Sequence, residues 1–324
     1  MNQYQISKIR QKVDLTRFAN STIHQNVTMD EVETKILYAA GKRIGVLSSI
    51  GKEIDIETAK HIAQNSMENP DFVSLVDNEE AGVPEYRGSY SPSTAQTKPM
   101  HRAEIVKEVI ELCNKKRLQT AGYLSTGFYE MEISNSLGVN VRDQATMAEF
   151  SLTVTGEGTG YSTATSFDLS LLNITDLTNR AIETAMKNIK PVMIEPKKYR
   201  VILEPMAVHD LFGFLSWLGF SGLMYYEGRS CFAGRLNQEV ASPLITLYDE
   251  PITGLPNLGI DVEGVARRKT ILIEKGVLKN VVYDSYSAHK IGTKSTGNAY
   301  ELISPIGGFP FSITQAPGET SNEK

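Results

Sequence analysis

Apolar and polar residues alternate over 31–48. Val32, Ile36 and Tyr38 lead into a Gly41-Lys42 turn and Ile44, Val46 and Leu47 follow it, which predicts a pair of strands. Upstream, 17–28 reads as strand and turn. Asp55 then caps a predicted helix over 56–68, with Ile56, Ala59, Ile62, Ala63 and Met67 on one face. Residues 78–100 are rich in Pro, Gly and Ser and lack periodicity, so they read as a long loop or linker. A second helix over 101–117 turns Ile105, Val106, Val109, Ile110 and Cys113 inward. Strands return at 123–126, 129–135, 139–142 and 148–155, with a turn at Ser136-Leu137-Gly138. A third helix over 174–190 buries Leu177, Ala181, Ala185 and Ile189, and Pro191 ends it.

Paired strands followed by one helix therefore occur twice before residue 195, the pattern of an internal duplication. After Pro196 a strand over 199–203 and a helix over 206–219 are predicted, followed by strands at 239–248, 269–275, 277–284 and 309–314. Ile271 to Leu278 carries a hairpin signal, with Gly276 supplying a positive φ in the turn. The fold class is α+β: an N-terminal region over 1–77, a linker over 78–100, a middle region over 101–195 and a β-rich C-terminal domain over 196–324.

Composition narrows the function. The 324 residues suffice for two ordinary domains. With 33 Lys and Arg against 38 Asp and Glu, the net charge of −5 does not favour a nucleic-acid or anionic membrane surface. The two cysteines, Cys113 and Cys231, make neither a disulfide framework nor a Cys-x-x-Cys knuckle, which fits a reducing cytoplasmic setting. The polar start, MNQYQISKIRQKVD, has no apolar signal core, and no stretch approaches the roughly 20 apolar residues of a membrane span.

Few motifs carry chemistry. The glycines of Thr155 to Gly160 lack the Lys-Ser/Thr ending of a phosphate loop and read as a hairpin tip. Cys113 reads as a core thiol, and Cys231 has no His partner placed near it by sequence. Asp249-Glu250 and Asp261-Val262-Glu263-Gly264 form an acidic cluster, able to do acid/base work or hold a hard cation, or simply to make acidic turns. His209 is a lone imidazole on a strongly apolar helix, where packing is the ordinary role.

Several segments in order resemble the TldD/PmbA family: 41–51 (GKRIGVLSSIG), 134–142 (SNSLGVNVR), 260–279 (IDVEGVARRKTILIEKGVLK), 284–298 (DSYSAHKIGTKSTGN) and 309–320. Residues 201–215, VILEPMAVHDLFGFL, resemble the stretch where active members carry His-Glu-x-x-x-His. Glu204 stands at the first His position, Pro205 at the catalytic Glu position, and His209 at the second His. A zinc peptidase needs imidazole ligands and a carboxylate that takes a proton from metal-bound water, and proline supplies neither. An ideal helix also places positions five apart about 140° around its axis, so Glu204 and His209 do not face one metal.

The resemblance places the chain nearest the non-catalytic PmbA/TldE branch. It implies no cofactor in this chain, zinc in a TldD-like partner subunit, and unfolded or modified peptides as substrate. It also implies a chain shortened at its C-terminus, since the catalytic branch draws a Cys ligand from a further tail, and a shortened sheet exposes edges and apolar surface. The family's older label, modulator of DNA gyrase, gets no support from the acidic composition. Two other readings stay open: an active zinc metallopeptidase using His209 with Glu204, Asp261 or Glu263, and a peptide-binding adaptor with no protease partner.

Overall fold

The computed structural model describes residues 2–252 and 255–318. The predicted element at 309–320 is thus described only to Gly318, and the rest of it lies outside the described residues. A six-stranded antiparallel sheet dominates the first half, in the order β3-β2-β1-β4-β5-β6. Its strands are β1 (Asn2–Ala19), β2 (Thr22–Ala40), β3 (Arg43–Ile50), β4 (Gln119–Asn135), β5 (Asn140–Thr155) and β6 (Thr159–Ser166). The Gly41-Lys42 turn and the 136–138 turn stand where the pattern predicts them. The segments predicted between 121 and 155 join into two uninterrupted strands.

The duplication is real in three dimensions. β1–β3 followed by α1 (Ile56–Asn65), and β4–β6 followed by α5 (Ile174–Lys187), are each a three-stranded meander with one helix laid back on its last strands. Both halves use the same docking device. A glycine on the outer strand lets an Ala-x-x-x-Ala helix approach to backbone distance, Gly45 under Ala59 and Ala63, Gly160 under Ala181 and Ala185. A Cβ at Gly160 would stand 2.8 Å from the Ala185 nitrogen. Pairing of β1 with β4, from Gln5 opposite Asn135 to Phe18 opposite Gly122, makes the two units one sheet.

Side-chain alternation sends successive residues to opposite faces. Ile36 and Tyr38 pack under α1, while Phe18, Leu124, Phe150 and Leu152 pack under α4 (Pro99–Asn114) and α5. On the other face, Leu37 and Ala39 meet Phe72, Leu75, Leu302 and Ile303, and Met131 and Ile133 meet Ile260. The C-terminal part therefore sits on the face opposite the helices.

Residues 78–100, read as a loop, contain two helical turns, α2 (Asn78–Ala81) and α3 (Pro92–Ala95), capped by Asp77 and Ser91. They are fastened to the sheet: Ser91 N donates to Thr146 Oγ1 at 2.9 Å, and Gly88 N donates to Asp143. Their irregular sequence reflects a chain stitched down by side-chain caps rather than by periodic burial.

The C-terminal part holds less strand than its pattern predicts. β7 (Leu247–Asp249), β8 (Thr270–Glu274), β9 (Val277–Leu278) and β10 (Ile313–Gln315) form a small sheet ordered β10-β7-β8-β9, with helices α6 (Pro205–Gly219), α7 (Gly222–Tyr226) and α8 (Ser285–Ile291) beside it. The predicted strand 199–203 is irregular and exposed. Apolar runs mark burial or contact, not strand pairing, and among the described residues 199–203 has no neighbouring strand to complete a ladder. The 271–278 hairpin forms as predicted, turning through Lys275 and Gly276 at φ 46° and 84°.

Candidate functional site

The three residues at the metal-motif positions lie together on one exposed helix. Glu204 is the N-cap residue of α6 and makes no side-chain cap hydrogen bond, Pro205 occupies the first helical turn, and His209 faces solvent. Pro205 needs no N–H there, so the local fold is well served by the residue that cannot do the chemistry. The donors of a zinc peptidase are not assembled at this place. Among the described residues, no group of three or more His, Cys, Asp or Glu side chains is arranged to hold a metal ion.

The two other predicted carboxylates are far more deeply set, in a buried polar junction built where the C-terminal part meets the sheet. Asp261 accepts from the backbone amides of Glu263 and Val265 at 3.0 Å and of Ala299 at 2.9 Å. Burial pushes it up to about 7 despite these bonds. Glu263 accepts from Ser285 N at 2.8 Å, and burial, with Asp261 and Asp284 nearby, raises it well above the ordinary carboxylate range. Asp284 caps α8 through Ser287 N at 2.8 Å, and is raised by burial as well; its second oxygen has no partner among the described residues. Burial and their mutual repulsion favour the protonated forms of these three carboxyls.

Asp249 fastens the same network to the small sheet. It accepts from Ser312 N at 2.6 Å and Asn298 Nδ2 at 2.7 Å, and the Arg267 guanidinium stands 3.8 Å away. Arg267 itself is buried, donates to Leu258 O at 3.2 Å and Ser312 Oγ at 3.2 Å, and lies over the Phe311 ring. These groups make the predicted acidic residues structural anchors. The carboxyls of Asp261, Glu263 and Asp284 each accept from at least one backbone amide, which fixes the loops that carry them. Sequence reasoning missed Asp284, Ser285 and Asn298 as members of this network; the signal was present as an Asp-Ser-x-Ser N-cap and a Ser-Thr-Gly-Asn turn.

Beside the junction an open groove of about 570 Å³ separates residues 77–85 from residues 266–268 and 289–295. Its two sides are joined by Ala266 N donating to Ala81 O at 2.8 Å. At one end His289 Nε2 meets the Glu80 carboxylate at 2.9 Å, and that contact holds the imidazole above its ordinary value against its partial burial. Lys290 pairs with Asp71 at 2.8 Å, so α8 is tied twice to the N-terminal half.

The remaining sequence candidates are structural. Cys113 is buried under α4, and desolvation pushes its thiol up to about 11. Cys231 is exposed and burial of its sulfur raises it too, the opposite of an activated thiol. The Gly156–Gly158 segment is the tip of the β5–β6 hairpin. No helix among the described residues is long and apolar enough to cross a membrane.

The PmbA/TldA metallopeptidase central domain matches residues 92–189, and the PmbA/TldA metallopeptidase C-terminal domain matches residues 196–324. An uncharacterized protein of Methanocaldococcus jannaschii is 25% identical over 84% of this chain and 66% of its own. A metalloprotease TldD homolog of Buchnera aphidicola is 29% identical over 53% of this chain and 40% of its own. The metalloprotease PmbA of Escherichia coli O157:H7 is 28% identical over 35% and 26%. The chain thus spans two thirds or less of the length of these curated relatives. The crystal structure of TldE from Thermococcus kodakarensis superposes with a TM-score of 0.83 at 23% identity, over 99% of this chain and 76% of that one. A Thermotoga maritima structure named for modulation of a DNA gyrase gives 0.87 at 21%, over 99% and 75%. At these identities the structures establish the fold, and the two family domains together cover most of the chain. This chain belongs to the PmbA/TldD metallopeptidase family.

Proposed function

We propose that the chain is a non-catalytic, PmbA/TldE-like subunit of a complex that cuts unfolded or modified peptides, with the zinc chemistry supplied by a TldD-like partner. The observation that carries this reading is the start of α6. Pro205 stands where the general base belongs, with Glu204 and His209 exposed beside it and, among the described residues, no group of three or more His, Cys, Asp or Glu donors gathered there. The exposed apolar surface of α6, with Leu211, Phe214 and Leu218 in solvent, supports a subunit that works against another protein. Relatives named as metalloproteases of the TldD and PmbA types support the same assignment. On this reading the chain holds peptide and completes a chamber, and proton transfer and metal-bound water belong to the partner.

The test is co-expression with a TldD-like chain. The two are expected to co-purify, and chelator-sensitive cleavage of an unfolded peptide is expected only from the pair. Cleavage by this chain alone, abolished by chelator and by His209→Ala, would overturn the reading.

A further inference from the structure

The groove between residues 77–85 and residues 266–268 and 293–295 has two properties that its structural role does not require. The first concerns charge. Glu79 and Glu85 come from the first segment, Arg268 and Lys294 from the other two, and all four are exposed. None of the four is in an ion pair with any of the described residues, although opposite charges line the same 570 Å³ space. The second concerns the main chain. Among the described residues, the backbone N–H groups of Val83, Arg268, Lys294 and Ser295 have no hydrogen-bond partner, even though Ser295 is almost fully buried. Val83, Arg268 and Lys294 are exposed and water reaches their N–H groups, so the Ser295 N–H is the donor whose burial calls for a partner, and an extended polypeptide supplies carbonyls for such groups.

We propose that this groove binds an extended peptide segment of mixed charge. Main-chain carbonyls of the peptide accept from the free N–H groups of the groove. A carboxylate side chain lies toward Arg268 and Lys294, and an ammonium or guanidinium lies toward Glu79 and Glu85. Val83, 89% exposed on the same lining, offers an apolar contact. The inference rests on the reading of the chain as a peptide-holding subunit and specifies which surface does the holding and which peptides it selects. The groove spans the boundary between the sheet half and the C-terminal part, a common position for ligand sites.

The probe is a short, unstructured, fluorescently labelled peptide with one Glu and one Lys, read by anisotropy on the purified chain beside a matched peptide with Ser at both positions. The mixed-charge peptide is expected to bind more tightly, with an affinity that falls as salt is raised. The double variant Arg268→Glu with Lys294→Glu is expected to weaken it by about tenfold or more, a loss of about 1.4 kcal/mol. The pair Glu79→Lys with Glu85→Lys is expected to do the same from the other side. All four side chains are exposed, and a melting curve matching the parent chain confirms that each variant is folded. Equal binding of the Ser peptide, unchanged affinity in both folded double variants, or no binding by the parent chain would each overturn the proposal. Co-purification with a TldD-like chain is read separately, so a complex that forms while the groove variants bind normally removes the groove and leaves the subunit assignment standing.

Discussion

Helix α5 buries Leu177, Ala181, Ile182 and Ala185 against β5 and β6, whereas the more apolar α6 buries only Ser216 and Gly219 and leaves Leu211, Phe214 and Leu218 in solvent. Burial follows the arrangement of apolar residues rather than their number. α5 carries them on one face opposite a charged one, so a single docking satisfies it; α6 is apolar nearly all round and no single docking can. The halves that own these helices are stabilised differently. The sheet half rests on an apolar core pressed between strands and helices. The C-terminal part relies heavily on buried carboxyls, amides and one guanidinium, beside an apolar cluster of its own. The first strategy gives a continuous apolar core, and the second leaves the apolar residues of α6 in solvent.

The largest test of this contrast removes core volume from the sheet half. Phe150 is fully buried, and Phe150→Ala is expected to cost about 3–5 kcal/mol in a denaturant titration. Next comes the close helix approach. Gly160→Ala puts a Cβ against the backbone of α5 and is expected to cost about 1–3 kcal/mol, where the same change in an undocked helix would help.

The polar junction gives a pH signature of comparable or smaller size. Asp261, Glu263 and Asp284 are all raised by burial, so between the unfolded carboxylate range near pH 4 and the raised folded values the native state binds more protons than the unfolded one. Their contribution is complete below that range and is lost as pH rises through the raised folded values, about 7 for Asp261. Melting temperature is therefore expected to fall from about pH 5 to about pH 8, and Glu263→Gln should flatten that slope by on the order of 1 kcal/mol at the upper end. The smallest effect has the opposite sign. Gly213 lies within α6 with open space where its Cβ would be, so Gly213→Ala is expected to stabilise by about 0.5–1 kcal/mol.

Much of the sheet half was legible in the sequence. The amphipathic helices, the Gly41-Lys42 and 136–138 turns and the duplication all follow from local periodicity. β1 escaped because its inward positions Gln3, Gln5, Ser7, Asp14 and Thr16 are polar, which erases the two-residue hydrophobic alternation of a central strand. In the C-terminal part, the runs at 199–203 and 239–248 overstated the strands: among the described residues 199–203 has no strand beside it, and 239–246 meets residues 276–278 through isolated bonds such as Val240 N to Gly276 O rather than a regular ladder. At the candidate site, Glu204, Pro205 and His209 could be placed by motif alone. The burial of Asp261 and Glu263 could not, since it depends on Asp284, Ser285 and Ala299 arriving from elsewhere in the chain. The groove was invisible for the same reason: Glu79 and Arg268 share it through contacts between segments distant in sequence, such as Ala266 N donating to Ala81 O and His289 meeting Glu80.

On the proposed reading, this chain keeps the scaffold of a metallopeptidase and leaves the metal chemistry to its partner. Zinc stoichiometry of the purified chain, by elemental analysis after exposure to zinc and desalting, addresses it most directly. The expected result is far less than one zinc per chain, unchanged in His209→Ala. Near-stoichiometric zinc that His209→Ala removes would contradict the claim and return α6 to the list of active sites.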